Sequence, residues 1–213
     1  MSRPLLLALL WLVPQMISAQ TDLIVPPFSP LAPGDSTWIG APLYTSMKEA
    51  LAVEDPTTIY RLDLSRQRLK DVPAELARFT QLRELRLDRN KLDALPAFLT
   101  AFAHLEIFSA EENELTAFPE AMWSWPQLRE LHLGDNWIEA IPIDIDELAH
   151  LEVLSLWSNV IGTFPVSLSE LPRLRRLDLL YNDMTAEEQE LLRMWLPEVQ
   201  LVLSEPCRCE FED

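Results

Sequence analysis

The chain has 213 residues, with 17 lysines and arginines set against 34 aspartates and glutamates, and a formal net charge of −17. A field of that sign repels phosphate backbones and anionic lipid headgroups, so nucleic acid and membrane surfaces are poor partners and basic or apolar proteins are better ones. With only four glycines, at 34, 40, 134 and 162, no phosphate-cradling loop can be assembled, and no cofactor is expected.

Residues 1–19, MSRPLLLALLWLVPQMISA, combine Arg3, an apolar run from Leu5 to Val13 and the small pair Ser18-Ala19. This pattern predicts a secretory signal peptide cleaved after Ala19, with an apolar run too short to span a bilayer. The expected location is therefore extracytoplasmic (periplasm, cell surface or secreted), with no stable membrane insertion. Because no cysteine follows the run, no lipid anchor is expected, and loss of Arg3 makes the mature chain more acidic. Residues 20–44, with Pro26, Pro27, Pro30, Pro33 and Pro42, read as an extended linker, from which Trp38 and Ile39 could reach the next element. Residues 45–58 form the amino-terminal cap. There Ser46-Met-Lys-Glu49 is a capping-box start for a helix running to Val53, stopped by Asp55-Pro56.

From Ile59 the phrase LxxLxLxxN recurs every 23 residues, starting again at Leu82, Leu105, Leu128, Leu151 and Leu174. Inside each unit the fourth and sixth places alternate with variable residues, which predicts a short strand with one face buried, RLDLS (Arg61 to Ser65) in unit one and RLDLL (Arg176 to Leu180) in unit six. The asparagines that follow, Asn90, Asn113, Asn136, Asn159 and Asn182, stand where the chain turns. An amide has donors and an acceptor, so a stacked column of asparagines can satisfy backbone groups buried inside the coil. Gln67 takes this place in unit one. The second half of each unit reads LPxxL or a variant, such as Leu95-Pro96 and Ile141-Pro142. Proline suits a turn opening a short helical or extended return stroke. The repeats run from 59 to 184. Residues 185–203 form a carboxyl-terminal cap, opened by Thr185-Ala-Glu-Glu188 and ending in an apolar strand, Val199 to Leu203. Residues 204–213 are an acidic tail that holds Cys207 and Cys209, the two cysteines of the chain.

Over residues 59 to 196 the chain resembles the leucine-rich repeat family, specifically its 23-residue LPxxL type. The resemblance implies an α/β solenoid: a curved parallel sheet on the concave side, short helical or extended convex segments, and here six repeats between helical caps. It also implies protein-protein binding as the usual activity, without naming a partner. Two leucines are replaced in unit three by Phe108 and Ala110, where Phe118, Met122 and Trp125 are available to refill the volume. Eukaryotic extracellular members often open a carboxyl cap with CxC, but the further cysteines of that cap are lacking here. The pair could close on itself with strain, bridge to another chain or remain two tail thiols, with the plain tail ranked ahead of the intermolecular bridge.

Neighbouring strands lie ~4.8 Å apart, so residues 23 apart form rows across the concave sheet. Early in the sheet Arg61 answers Glu84 and Asp63 answers Arg86, read as a solvated and mutually neutralised ladder. In the middle Glu111, Glu112, Glu114, Glu130 and Asp135 gather, without any calcium-loop motif, so no metal is expected. Further along, Trp157 stands beside Leu180, Trp137 beside Val160, and Tyr181 near Leu180; these places point away from the core, and large rings there suit a contact site. The candidate protein-binding residues are thus Trp137, Trp157, Tyr181, Leu180, Val160, His132, Glu111, Glu130 and Asp135. A hydrolase built on Ser109 or Ser155 with His132 is a remote alternative. Asp178 lies two strands, ~10 Å, from His132, and an open sheet supplies no oxyanion donors. The expected function is an exported, non-catalytic, monomeric module that binds a protein or peptide on its concave face. The alternative is a structural or adhesive surface component, self-associating through the tail cysteines.

Overall fold

A computed structural model describes residues 38–206. The predicted signal peptide, most of the predicted proline-rich linker, Cys207 and Cys209 lie outside the described residues. Eight parallel strands stand in chain order in one sheet: β1 (Leu43–Tyr44), β2 (Arg61–Asp63), β3 (Glu84–Arg86), β4 (Ile107–Ser109), β5 (Glu130–His132), β6 (Val153–Ser155), β7 (Arg176–Asp178) and β8 (Gln200–Val202). From β2 to β7 the register follows the 23-residue interval, pairing Arg61 with Glu84, Ile107 with Glu130 and Ser155 with Asp178. The leucines of the phrase point inward, and Leu62, Leu85, Leu131, Leu154 and Leu177 are fully buried. Their core runs unbroken from Ala50 to Leu196. Such a core exists only because stacked units share it, since one unit cannot cover its own apolar edge. The molecule is a leucine-rich repeat solenoid.

The strands are shorter than the five residues the alternation predicts. Backbone bonds between units continue past each strand, as in Leu64 N–H to Arg86 O (2.8 Å) and Arg66 N–H to Asp88 O (2.9 Å). The chain then turns through a left-handed residue in every unit: Arg66, Arg89, Glu112, Asp135, Ser158 and Tyr181, with φ between 52° and 61°. None is glycine, so each carries a cost of about 1 kcal/mol. The turn it makes delivers the chain to the asparagine column. There Asn113 donates to the carbonyls of Leu87, Ala110 and Glu111 and accepts from the N–H of Leu92, and its counterparts in units two, four, five and six repeat the pattern. On the convex side the prolines precede 3₁₀ turns at Ala74–Arg78, Ala97–Ala101, Glu120–Ser124 and Val166–Glu170; in unit four the turn starts later, at Ile145–Glu147. In unit three Phe108 packs on Trp125 with ring centroids 4.8 Å apart. Met122 and Phe118 are buried with them, filling the space as expected.

Both ends are closed by helices. In α1 (Met47–Leu51) the Ser46 hydroxyl accepts from Glu49 N–H at 3.2 Å. The carboxylate of Glu49 reaches back to Thr45 N–H rather than to Ser46, and the helix stops two residues before the predicted Val53. In α2 (Ala186–Trp195) the box between Thr185 and Glu188 is complete. The folded unit begins earlier than the predicted boundary at residue 44. Leu43 and Tyr44 pair with β2, and Trp38 is buried, its indole N–H 3.1 Å from Glu106, while Arg61 donates to the carbonyl of Ile39 at 3.0 Å. A short edge strand and a single anchored ring carry little sequence periodicity, so composition alone assigns them to the linker. At the other end β8 pairs with β7 and extends the sheet by one further strand.

Candidate concave face and rim

The face starts with Glu84 on β3. Its side chain is 1% exposed, bracketed by Arg61 on β2 at 2.7 Å and by Arg86 on its own strand at 2.6 Å. The expected solvated ladder is therefore corrected. A buried carboxylate held by two guanidiniums is a fixed structural element, since removing either partner leaves charge without compensation. A second ladder, at the place before each strand, escapes the reading by rows. Arg83 meets Glu106 at 2.6 Å, and Glu152 takes Arg129 at 2.8 Å and Arg175 at 3.7 Å. Its signal is present in the sequence, since these residues stand 23 apart with alternating sign.

At the centre of the sheet the acidic residues are engaged with neighbours instead of standing in solvent. Asp88 accepts from the Ser109 hydroxyl at 2.5 Å and from Glu111 N–H at 2.9 Å. Burial raises its pKa above the ordinary value of 3.8 and outweighs those hydrogen bonds, with the charge of Glu111 adding and that of Arg86 opposing. The sign follows: a carboxyl whose folded pKa is raised binds its proton more tightly when folded, so its contribution to stability falls as pH rises from about 3.8 through the folded value. Asp88→Asn is therefore expected to gain stability relative to the wild type as pH is raised from acid to neutral. Urea titrations at several pH values check this, and a difference that does not vary with pH would refute it.

Glu111 accepts from the indole N–H of Trp157 at 3.0 Å and the Ser155 hydroxyl at 3.1 Å, and lies 3.9 Å from His132 Nδ1. The other ring nitrogen of His132 is 3.1 Å from the buried carboxylate of Glu130. Thus His132, Glu111, Glu130 and Trp157 form one bonded cluster. Trp157 is half-buried: a Cβ built on Gly134 would lie 2.1 Å from its Nε1, so the indole lies flat over that glycine. The expectation of a freely exposed ring beside Leu180 is corrected for Trp157; the gap left by Gly134, its neighbour in the same row, holds it down. Both row serines give their hydroxyl protons to carboxylates, Ser109 to Asp88 and Ser155 to Glu111, so neither is set up as a nucleophile toward His132.

The remaining candidates stand on the rim, beyond the strand ends. Trp137, Val160 and Tyr181 are 60%, 45% and 69% exposed, and Leu180 is half-buried. Trp137 and Val160 line a groove of about 410 Å³ together with Asp135, Ser158, Glu112, Glu114 and Lys91, over a floor made by the asparagine column. Reading rows across the sheet places Trp137 and Trp157 in one patch. Trp137 instead follows the left-handed turn at Asp135 and lines the groove with Val160, whereas Trp157 packs over Gly134. Among the described residues, no group of three or more His, Cys, Asp or Glu side chains has the arrangement of a metal site, and no helix is long and apolar enough to cross a membrane.

A family model described as leucine rich repeat matches residues 126–184. No curated protein matches the sequence. Among solved structures the chain is similar to a leucine-rich repeat protein of Leptospira interrogans, with a TM-score of 0.61 and 27% identity over 78% of this chain and 49% of that one. It is also similar to the ectodomain of the plant membrane receptor kinase GASSHO1/SCHENGEN3 from Arabidopsis thaliana, solved in complex with Casparian strip integrity factor 2. There the TM-score is 0.57 and the identity 31%, over 70% of this chain and 19% of that one. An internalin from Listeria monocytogenes shares the fold, with a TM-score of 0.57 and 22% identity over 79% of this chain and 54% of its own. The chain thus spans about half of the two bacterial structures and about a fifth of the plant ectodomain.

Proposed function

The chain belongs to the leucine-rich repeat family, and from that premise we propose that it is an exported, non-catalytic module that binds a protein or peptide on its concave face and the adjoining rim. The observation that carries this reading is the exposure of Trp137, Val160 and Tyr181 on a fold whose core has no use for them. Burying one such ring removes roughly 150–250 Å² from water, a gross gain on the order of 4 kcal/mol before the costs of association. His132, Glu111 and Trp157 supply the polar part of the surface. Glu130, being buried, acts by holding His132, and Leu180 and Asp135 complete the border between sheet and rim. That the Arabidopsis ectodomain was solved with a bound factor supports binding as the activity.

The experiment is capture of partners from the extracytoplasmic fraction, comparing wild type with a Trp137→Ala/Tyr181→Ala variant. Loss of two central rings is expected to reduce capture at least about tenfold. Equal capture by both proteins sinks the proposed surface.

A further inference from the structure

We infer that the rim groove receives an extended basic segment of the partner, with a lysine or arginine side chain lying across Trp137 between Glu114 and Asp135. This rests on the protein-binding reading above and adds a place and a chemistry to it. The groove runs along the solenoid, across units two to five. Its floor has little left to offer a ligand, because the asparagine amides already serve backbone groups of their own unit and of the unit before, as Asn136 does for Leu133 O and Leu115 N–H at 3.0 Å each. An incoming chain is therefore recognised by the walls.

Those walls pair an apolar surface with negative charge. Trp137 and Val160 are exposed at equivalent places in adjacent units. Among the described residues the Glu114 carboxylate has no hydrogen bond or ion pair, and Asp135 accepts from the Ser158 hydroxyl at 3.2 Å. Glu112 differs in being held by Arg89 at 2.6 Å. A cationic side chain satisfies both parts of such a wall, its stem covering the indole while its head meets the carboxylate. An anionic ligand would be repelled, in keeping with the net charge of −17, and a purely apolar one would strip water from Glu114 without replacing it. Lys91 stands at the unit-two end of the groove and directs the cation away from itself, toward units three and four. Repeats ~4.8 Å apart give the groove a length of ~14 Å, which accommodates an extended segment of about five residues but not a folded domain.

Isothermal titration of the full chain with a capped peptide of alternating leucine and lysine tests this against the same peptide with norleucine for lysine. The lysine peptide is expected to bind and to weaken as salt rises. Trp137→Ala is expected to weaken it about tenfold and Trp137→Phe to restore much of that, while Glu114→Gln/Asp135→Asn costs roughly three- to tenfold. Equal binding of the norleucine peptide, indifference to Trp137→Ala, or no binding of either peptide overturns the inference. If no peptide binds while partner capture still depends on Trp137 and Tyr181, this inference falls and the broader protein-binding reading stands.

Discussion

Asn136→Leu is expected to lower the free energy of unfolding by about 3 kcal/mol, although leucine is similar to asparagine in shape and adds apolar surface to an apolar coil. The amide is buried, donates to the carbonyls of Ala110, Leu133 and Gly134 at 3.0, 3.0 and 3.1 Å, and accepts from Leu115 N–H at 3.0 Å. These losses are unequal. Ala110 O keeps the amide of Asn113, Leu133 O keeps that of Asn159, and Gly134 O keeps Glu112 N–H, so each carbonyl remains partly satisfied. Among the described residues Leu115 N–H has no such second partner, and the cost of an orphaned buried donor dominates. Because each coil touches only its neighbours, the defect also weakens the coupling between units three and four. Circular dichroism during urea unfolding should therefore show a lower midpoint together with a broadened transition. An unchanged midpoint would mean that the column orders the turn without holding it.

The contrast between this column and the left-handed turn beside it shows what is legible in the sequence. Asn136 and its counterparts in units two to six are visible because the same amide does that work in each, so the demand repeats as a letter. Six left-handed residues recur at the same interval, yet they are Arg, Arg, Glu, Asp, Ser and Tyr. That conformation is imposed by the bonds on either side of it and leaves no trace in residue type. The site divides for the same reason. Row logic places His132 beside Ser155 and Glu111 near them correctly, since strand register is periodic. It also places Trp137 beside Val160 correctly, and it fails for Trp157, because a ring's direction depends on the empty place beside it. Trp38 is only half legible for another reason: its anchor is Glu106, 68 residues away, and no local pattern reports such a contact.

Gly134→Ala is expected to cost roughly 2 kcal/mol and to release Trp157 from the sheet. The added methyl would lie 2.1 Å from Nε1, 2.3 Å from Cδ1 and 2.5 Å from Cε2 of the indole, distances at which the ring or the strand must move. The backbone around Gly134 is held by the units on both sides, through Glu112 N–H to Gly134 O at 2.9 Å and Asp135 N–H to Trp157 O at 2.6 Å, whereas the ring is fixed by packing and by one hydrogen bond to Glu111 at 3.0 Å. The ring is therefore the part that yields. Its indole N–H loses Glu111, its face meets water, and Glu111 keeps Ser155 at 3.1 Å and His132 at 3.9 Å. A red shift in tryptophan emission, absent when Gly134→Ala is made on a Trp157→Ala background, would identify the ring. The stability cost should shrink on that background to within about 0.5 kcal/mol of zero, because the methyl then enters space the indole has vacated. The same cost on both backgrounds would place the strain in the strand and leave the glycine at 134 without a role in seating the ring. If the cost does vanish, the glycine serves to hold an aromatic ring flat on the sheet before any partner arrives. Gly134→Ala should then weaken partner capture even though residue 134 itself presents no side chain to a ligand.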